Sequence, residues 1–141
     1  MTKLLDVITI GRAGVDLYGQ QVGGRLEDMG SFAKYIGGSP TNIACGTARL
    51  GLKSGLITRV GDEHMGRFIR EQLVREGVDV RGVATDPERL TALVILGIRD
   101  EDSFPLIFYR ENCADMALCE DDIDEGLIAE TRSVLATGTH L

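Results

Sequence analysis

The order in which strand-like and helix-like stretches alternate constrains this chain more than any other property of its sequence. Leu4 to Ile10 (LLDVITI) is a short run rich in β-branched residues and ended by Gly11, the pattern of a strand buried within a parallel sheet. From Pro40 the period lengthens. Ile43, Ala44, Thr47, Ala48 and Leu50 share one helical face, and Gly51 supplies a stop. GLITRV, at 55–60, reads as a second buried strand, and Met65, Phe68, Ile69 and Leu73 mark a second amphipathic helix closed by Gly77. Residues 78–83 alternate as a third strand would. Short connections in the order β-α-β-α-β predict a doubly wound α/β layer with right-handed crossovers.

Two stretches break that alternation. Residues 17–36 are glycine-rich, with short strand patterns such as 31–36 and no helical period. Residues 91–98 and 106–109 are β-rich runs separated by the polar segment 99–103, which predicts an antiparallel hairpin. Together these stretches predict a small sheet projecting from the α/β body. Beyond them, residues 111–130 contain acidic side chains and no Lys or Arg. Asp121 and Asp122 suit a helix start, where the helix dipole favours negative charge, and residues 133–136 return as an apolar strand.

Charge and composition then remove whole classes of partner. A length of 141 residues fits one domain. A net charge of -7 argues against nucleic acid and against an anionic membrane surface, since both reward a basic face. No apolar run approaches the roughly 18 residues of a membrane-spanning helix, and MTKLLDVITIG carries an Asp in its apolar stretch and no small-residue cleavage site. Cys45, Cys113 and Cys119 lack CxxC spacing and read as free thiols of a cytoplasmic protein.

The most specific motif is Gly37-Gly38-Ser39-Pro40-Thr41-Asn42-Ile43-Ala44, followed by Gly51 and Gly61. Adjacent glycines before a helix permit backbone conformations closed to other residues and let a ligand approach the main chain. Pro40 suits the first helical turn, and Asn42 offers a donor and an acceptor to a polyhydroxyl ligand. Asp16, in GRAGVD, lies just past the carboxyl end of the first strand, where α/β folds hold ligands. Arg12 and Arg110 each offer a planar fork that pairs bidentately with a carboxylate. There is no GxGxxG and no GxxxxGK[ST], so neither a dinucleotide fingerprint nor a Walker loop is present. The run 120–125 lacks the central glycine of a calcium loop, and no metal site is expected.

The spacing GGxPxNxA with Gly51 and Gly61 resembles the first signature of the ribokinase-like (PfkB) carbohydrate kinases, and the order of elements agrees along the whole chain. The resemblance implies a three-layer α/β/α fold with a mostly parallel sheet and a small β-sheet lid. It divides the chain into a body at about 1–16, 37–87 and 115–141 and lid strands at about 17–36 and 88–114. It implies ATP-dependent phosphorylation of a sugar or sugar-acid hydroxyl with ATP and Mg2+. Asp16 and Asn42 would contact hydroxyls, and Gly37 and Gly38 would act as a hinge. Tyr109-Arg110 resembles an element of the sugar-acid kinases, and GRAGVDLY, DEHMGRFI and YRENCADMAL point to the members of myo-inositol breakdown, with 2-keto-3-deoxygluconate kinases as the alternative. Gly14 stands where ribose kinases carry an Asn, which points away from ribose. The family's catalytic Asp lies in a GAGD motif that this sequence lacks. The chain is therefore expected to be the amino-terminal part of the enzyme, without its ATP-binding part or a catalytic residue, and inactive alone. The resemblance also implies a homodimer through the lid. A sugar-binding module without phosphotransfer is the rival from another class.

Overall fold

The computed structural model describes residues 3–138; the outermost positions of the expected body, 1–2 and 139–141, lie outside the described residues. Four parallel strands form the first sheet in the order β5-β4-β1-β8, with β1 at Leu5–Ile10, β4 at Ser54–Gly61, β5 at Val83–Asp86 and β8 at Thr131–Ala136. Helices α1 (Ser39–Arg49) and α2 (His64–Arg75) cover one face. There Ala44, Cys45, Leu56, Val60, Ile69 and Leu73 share a core. The short helix α3 (Glu125–Ala129) covers the other face, where Leu127 packs on Leu5, Ile8 and Ile57. These are the three layers that the family resemblance implies, built on the α/β alternation that the pattern predicts.

A second four-stranded sheet has the order β3-β2-β6-β7. Its strands are β2 (Gly14–Gly19), β3 (Phe32–Gly37), β6 (Ala92–Leu96) and β7 (Leu106–Tyr109). The predicted hairpin is its β6–β7 pair, antiparallel with Val94 opposite Phe108. β2 begins at Gly14, immediately after the turn that ends β1, so Asp16 stands on a strand of this second sheet rather than in the body.

Helix boundaries follow local chemistry. Both α1 and α2 are closed by left-handed glycines, Gly51 at φ +96 and Gly77 at φ +81. The Glu63 carboxylate caps α2 by accepting the Gly66 N–H at 2.6 Å. Four expectations need correction. Leu50 is 84% exposed, and Cys45 rather than Leu50 completes the buried face of α1. Met65 is exposed at the first turn of α2. The third strand begins at Val83 and not Val78, because the Asp79 side chain accepts the Arg81 N–H at 2.9 Å and turns the chain. Residue 79 keeps only an isolated bridge to Gly55. Finally, Asp121 and Asp122 form a 3-10 turn, while Asp124 caps α3 through the N–H groups of Gly126 and Leu127. Asp122 is diverted to Arg59 on β4, at 3.1 Å.

Candidate functional site

Four connections carry the chain between the two sheets, and the expected site residues gather at them. The first is Gly11-Arg12-Ala13, between β1 and β2. Thr41 at the start of α1 donates its hydroxyl to the Arg12 carbonyl at 2.8 Å, and the Asp115 carboxylate accepts the Ala13 N–H at 3.0 Å. That one peptide group is therefore held at both edges. The second is Gly37-Gly38, where β3 becomes α1. Gly38 has φ +99 and ψ 130, a combination that side chains disfavour. A Cβ there would stand 2.5 Å from the Arg12 carbonyl oxygen. Gly37 has a different constraint: a Cβ would land on the Asp16 carboxylate, 2.6 Å from its Cγ.

The third connection runs from β5 to β6, where the Glu63 carboxylate accepts the Thr91 N–H and hydroxyl, each at 3.1 Å. Thr91 in turn accepts the Gly61 N–H at 2.9 Å. Burial opposes charge on Glu63, but the Gly66 and Thr91 donors outweigh it and hold its pKa below the usual carboxylate range. The fourth leaves β7 at Arg110, whose guanidinium donates to the fully buried Asp115 at 2.6 Å.

Between these connections lies a cleft of about 220 Å³ lined by Arg12, Gly14, Asp16, Gly38 and Ser39 and by Val94 on β6, Phe108 on β7 and Arg110 just beyond it. Asp16 also lines an adjoining cleft of about 600 Å³, together with Tyr18, Tyr35 and Asn42. The structure thus brings Arg12, Asp16, Gly38 and Arg110 together, with Asn42 next door across Asp16. Gly37 is not a lining residue and instead gives the Asp16 side chain its room. Burial pushes the Asp16 carboxyl above its ordinary pKa. It does the same to the Tyr18 hydroxyl, with the Asp16 charge adding to the effect. The Arg12 Nε is buried, and among the described residues it has no hydrogen-bond partner.

Arg110 differs from the expectation of a freely offered guanidinium. Its Nη2 is committed to Asp115, and the side chain is 16% exposed. Among the described residues, Asp115 is its only hydrogen-bond partner. The arrangement can still take an anion, since Arg12 and Arg110 line the same cleft. Asp115, Glu63 and Tyr18 join the site although no sequence motif singles them out. The one signal for Asp115 is its place five residues after Arg110, and it is masked by the acidic run around it. Among the described residues there is no group of three or more His, Cys, Asp or Glu side chains able to hold a metal ion. No described helix is long and apolar enough to cross a membrane.

Comparison with known proteins agrees with this fold. The 5-dehydro-2-deoxygluconokinase of Geobacillus kaustophilus is 42% identical over 140 residues, which are 99% of this chain and 42% of that protein. The chain thus spans about two fifths of the length of the curated relatives it matches. A putative ribokinase II from E. coli, solved in complex with ATP and Mg2+, superposes with a TM-score of 0.87 at 26% identity, covering 97% of this chain and 44% of that one. An uncharacterized sugar kinase from Pyrococcus horikoshii, solved in complex with ATP, gives a TM-score of 0.85 at 32% identity over 92% of this chain and 42% of that one. The model of the pfkB family carbohydrate kinases matches residues 4–140, and with the double-glycine turn, the second sheet and the Asp16 cleft in place, the chain belongs to that family.

Proposed function

We propose that the intact protein is an ATP-dependent kinase that phosphorylates a hydroxyl of a keto sugar acid, 5-dehydro-2-deoxygluconate, in myo-inositol breakdown. The observation that carries the reading is that two arginines, Arg12 and Arg110, line one cleft together with the Asp16 carboxylate. Arg12 and Arg110 suit the substrate carboxylate, while Asp16 and Asn42, which line the adjoining cleft together, suit its hydroxyls. The second sheet, with lid strands at about 17–36 and 88–114, acts as a lid over the α/β body and excludes water from the bound sugar acid. The name of the Geobacillus relative supports the choice of substrate. 2-Keto-3-deoxygluconate is the second candidate, because Arg110 directly follows Tyr109. ATP and Mg2+ are the co-substrate and ion this reading calls for, as in the complex of the E. coli neighbour; no described residue of this chain is assigned to either.

We also infer that two copies pair through the second sheet. Phe108 is 60% exposed, with Leu106, Ile107 and Tyr109 exposed beside it on the edge strand β7, and such edges invite pairing. Cys45, Cys113 and Cys119 form no disulfide, which suits a reducing cytoplasm. The test is a coupled assay of the intact protein with ATP against 5-dehydro-2-deoxygluconate, 2-keto-3-deoxygluconate, fructose and ribose. A kcat/KM highest for 5-dehydro-2-deoxygluconate is expected. A preference for fructose or ribose, or binding of a sugar acid without phosphate transfer, refutes the reading.

A further inference from the structure

Asp115 is completely buried, and a buried carboxylate is costly unless donors surround it. Its donors come from two distant parts of the chain. Arg110 Nη2 and the Cys113 thiol reach Oδ1 at 2.6 and 3.2 Å. The Ala13 N–H reaches Oδ2 at 3.0 Å, across 102 residues of sequence. Ala13 N–H belongs to the same peptide group as the Arg12 carbonyl, which Thr41 holds from the opposite edge and on which Gly38 packs. The direction in which the Arg12 side chain leaves the backbone is therefore tied to the same carboxylate that orients Arg110. Two like charges lining one cleft of about 220 Å³ repel each other, and the negative charge of Asp115 beside Arg110 offsets part of that repulsion.

We infer that Asp115 is the positioning residue of this cleft: one carboxylate sets Arg110 directly and Arg12 through the Ala13 amide, so that both guanidiniums are preplaced for one anionic group of the substrate. It rests on the proposed sugar-acid reading for the identity of that anion, and on the geometry alone for the coupling of the two arginines. Asp115 is fully buried and does not line the cleft, so it acts only through its partners. Preplacement matters because misplacing a binding group by about 1 Å costs on the order of a hundredfold in rate.

The test uses the intact protein and Asp115→Asn, which preserves size and removes charge. KM for the sugar acid rises by about tenfold or more, KM for ATP stays unchanged, and amide exchange in the peptide spanning residues 11–15 accelerates. On an Arg110→Met background the same change still raises the sugar-acid KM, but by less than in the wild type, since the Arg110 arm is gone and the Arg12 arm through Ala13 remains. A residue that is only structural lowers the melting temperature and leaves both KM values and the exchange at 11–15 as they are; that outcome overturns the inference. If Asp115→Asn does not fold, Arg110→Met combined with Asp115→Asn removes both partners of the buried pair, which cores tolerate far better than loss of one. Unaccelerated exchange at 11–15 in that double variant overturns the inference equally. Wild-type protein that turns over no sugar acid removes the substrate reading instead, while the exchange measurement still decides whether Asp115 holds the Arg12 connection.

Discussion

Gly37 and Gly38 are adjacent and look equivalent in sequence, yet replacing each with alanine has opposite consequences. Gly38 sits at φ +99 and ψ 130, and a residue with a Cβ in such a region carries about 1–3 kcal/mol of strain. Its Cβ also meets the Arg12 carbonyl oxygen at 2.5 Å, against the roughly 3.3 Å of a close C···O contact. That carbonyl cannot retreat freely, because the hydroxyl of Thr41 and the Asp115 bond to the next N–H hold its peptide. Losing one such hydrogen bond adds about 1 kcal/mol. Gly38→Ala is therefore expected to destabilise the protein by about 2–4 kcal/mol. Gly37 has no positive φ and meets only the end of a side chain, the Asp16 carboxylate. Turning Asp16 aside costs about 0.5–1.5 kcal/mol if it leaves its rotamer, and replacing a strand glycine with alanine regains about 0.5–1 kcal/mol of backbone entropy. Stability barely changes, but Asp16 no longer faces its cleft, and in the intact protein kcat/KM for the proposed sugar-acid substrate is expected to fall about a hundredfold. Urea unfolding of both variants beside steady-state kinetics reads out the contrast. Equal loss of stability in the two, or a Gly37→Ala enzyme with wild-type kcat/KM, refutes the reasoning.

Two further outcomes follow from charge. Arg59 on β4 bonds Asp86 at 3.0 Å and Asp122 at 3.1 Å, and Asp86 is held below the usual carboxylate range by the Glu88 and Arg89 N–H groups first and by Arg59 next. Arg59→Met leaves two acids on a largely buried surface and is expected to cost about 3 kcal/mol, the low end for a broken buried pair because the two amide donors remain; unchanged urea unfolding rules this out. At Asp16 the sign is reversed. Burial raises its folded pKa, so its contribution to stability is present below the unfolded value and is lost as pH rises through the folded one. Asp16→Asn is expected to melt higher than wild type at pH 7, with the gap closing toward about pH 4, while the intact protein is expected to lose binding of the proposed sugar acid. A variant that melts lower at pH 7 contradicts the burial argument.

What the sequence discloses and what it hides differ in physical kind. Periodicity depends on which face meets the core, so the β-α-β-α-β order, the β6–β7 hairpin and the glycine stops at Gly51 and Gly77 can all be read from spacing alone. The same reasoning misplaces residues where a side chain competes with the regular backbone. Asp79 captures the Arg81 N–H and postpones β5, and Asp122 leaves the helix start for Arg59. Asp16, Gly38, Asn42 and Arg110 are legible as candidates because each stands beside an identifiable turn or strand end. Asp115 is not, since its partners Ala13 and Arg110 meet it only after two sheets have folded and four connections have crossed. A carboxylate in an acidic run reads as solvated surface, and only its burial reveals that it organises two cations. Candidate binding residues are thus more visible in one sequence than the residues that aim them, because contact chemistry sets the type of the first, whereas long-range packing sets the role of the second.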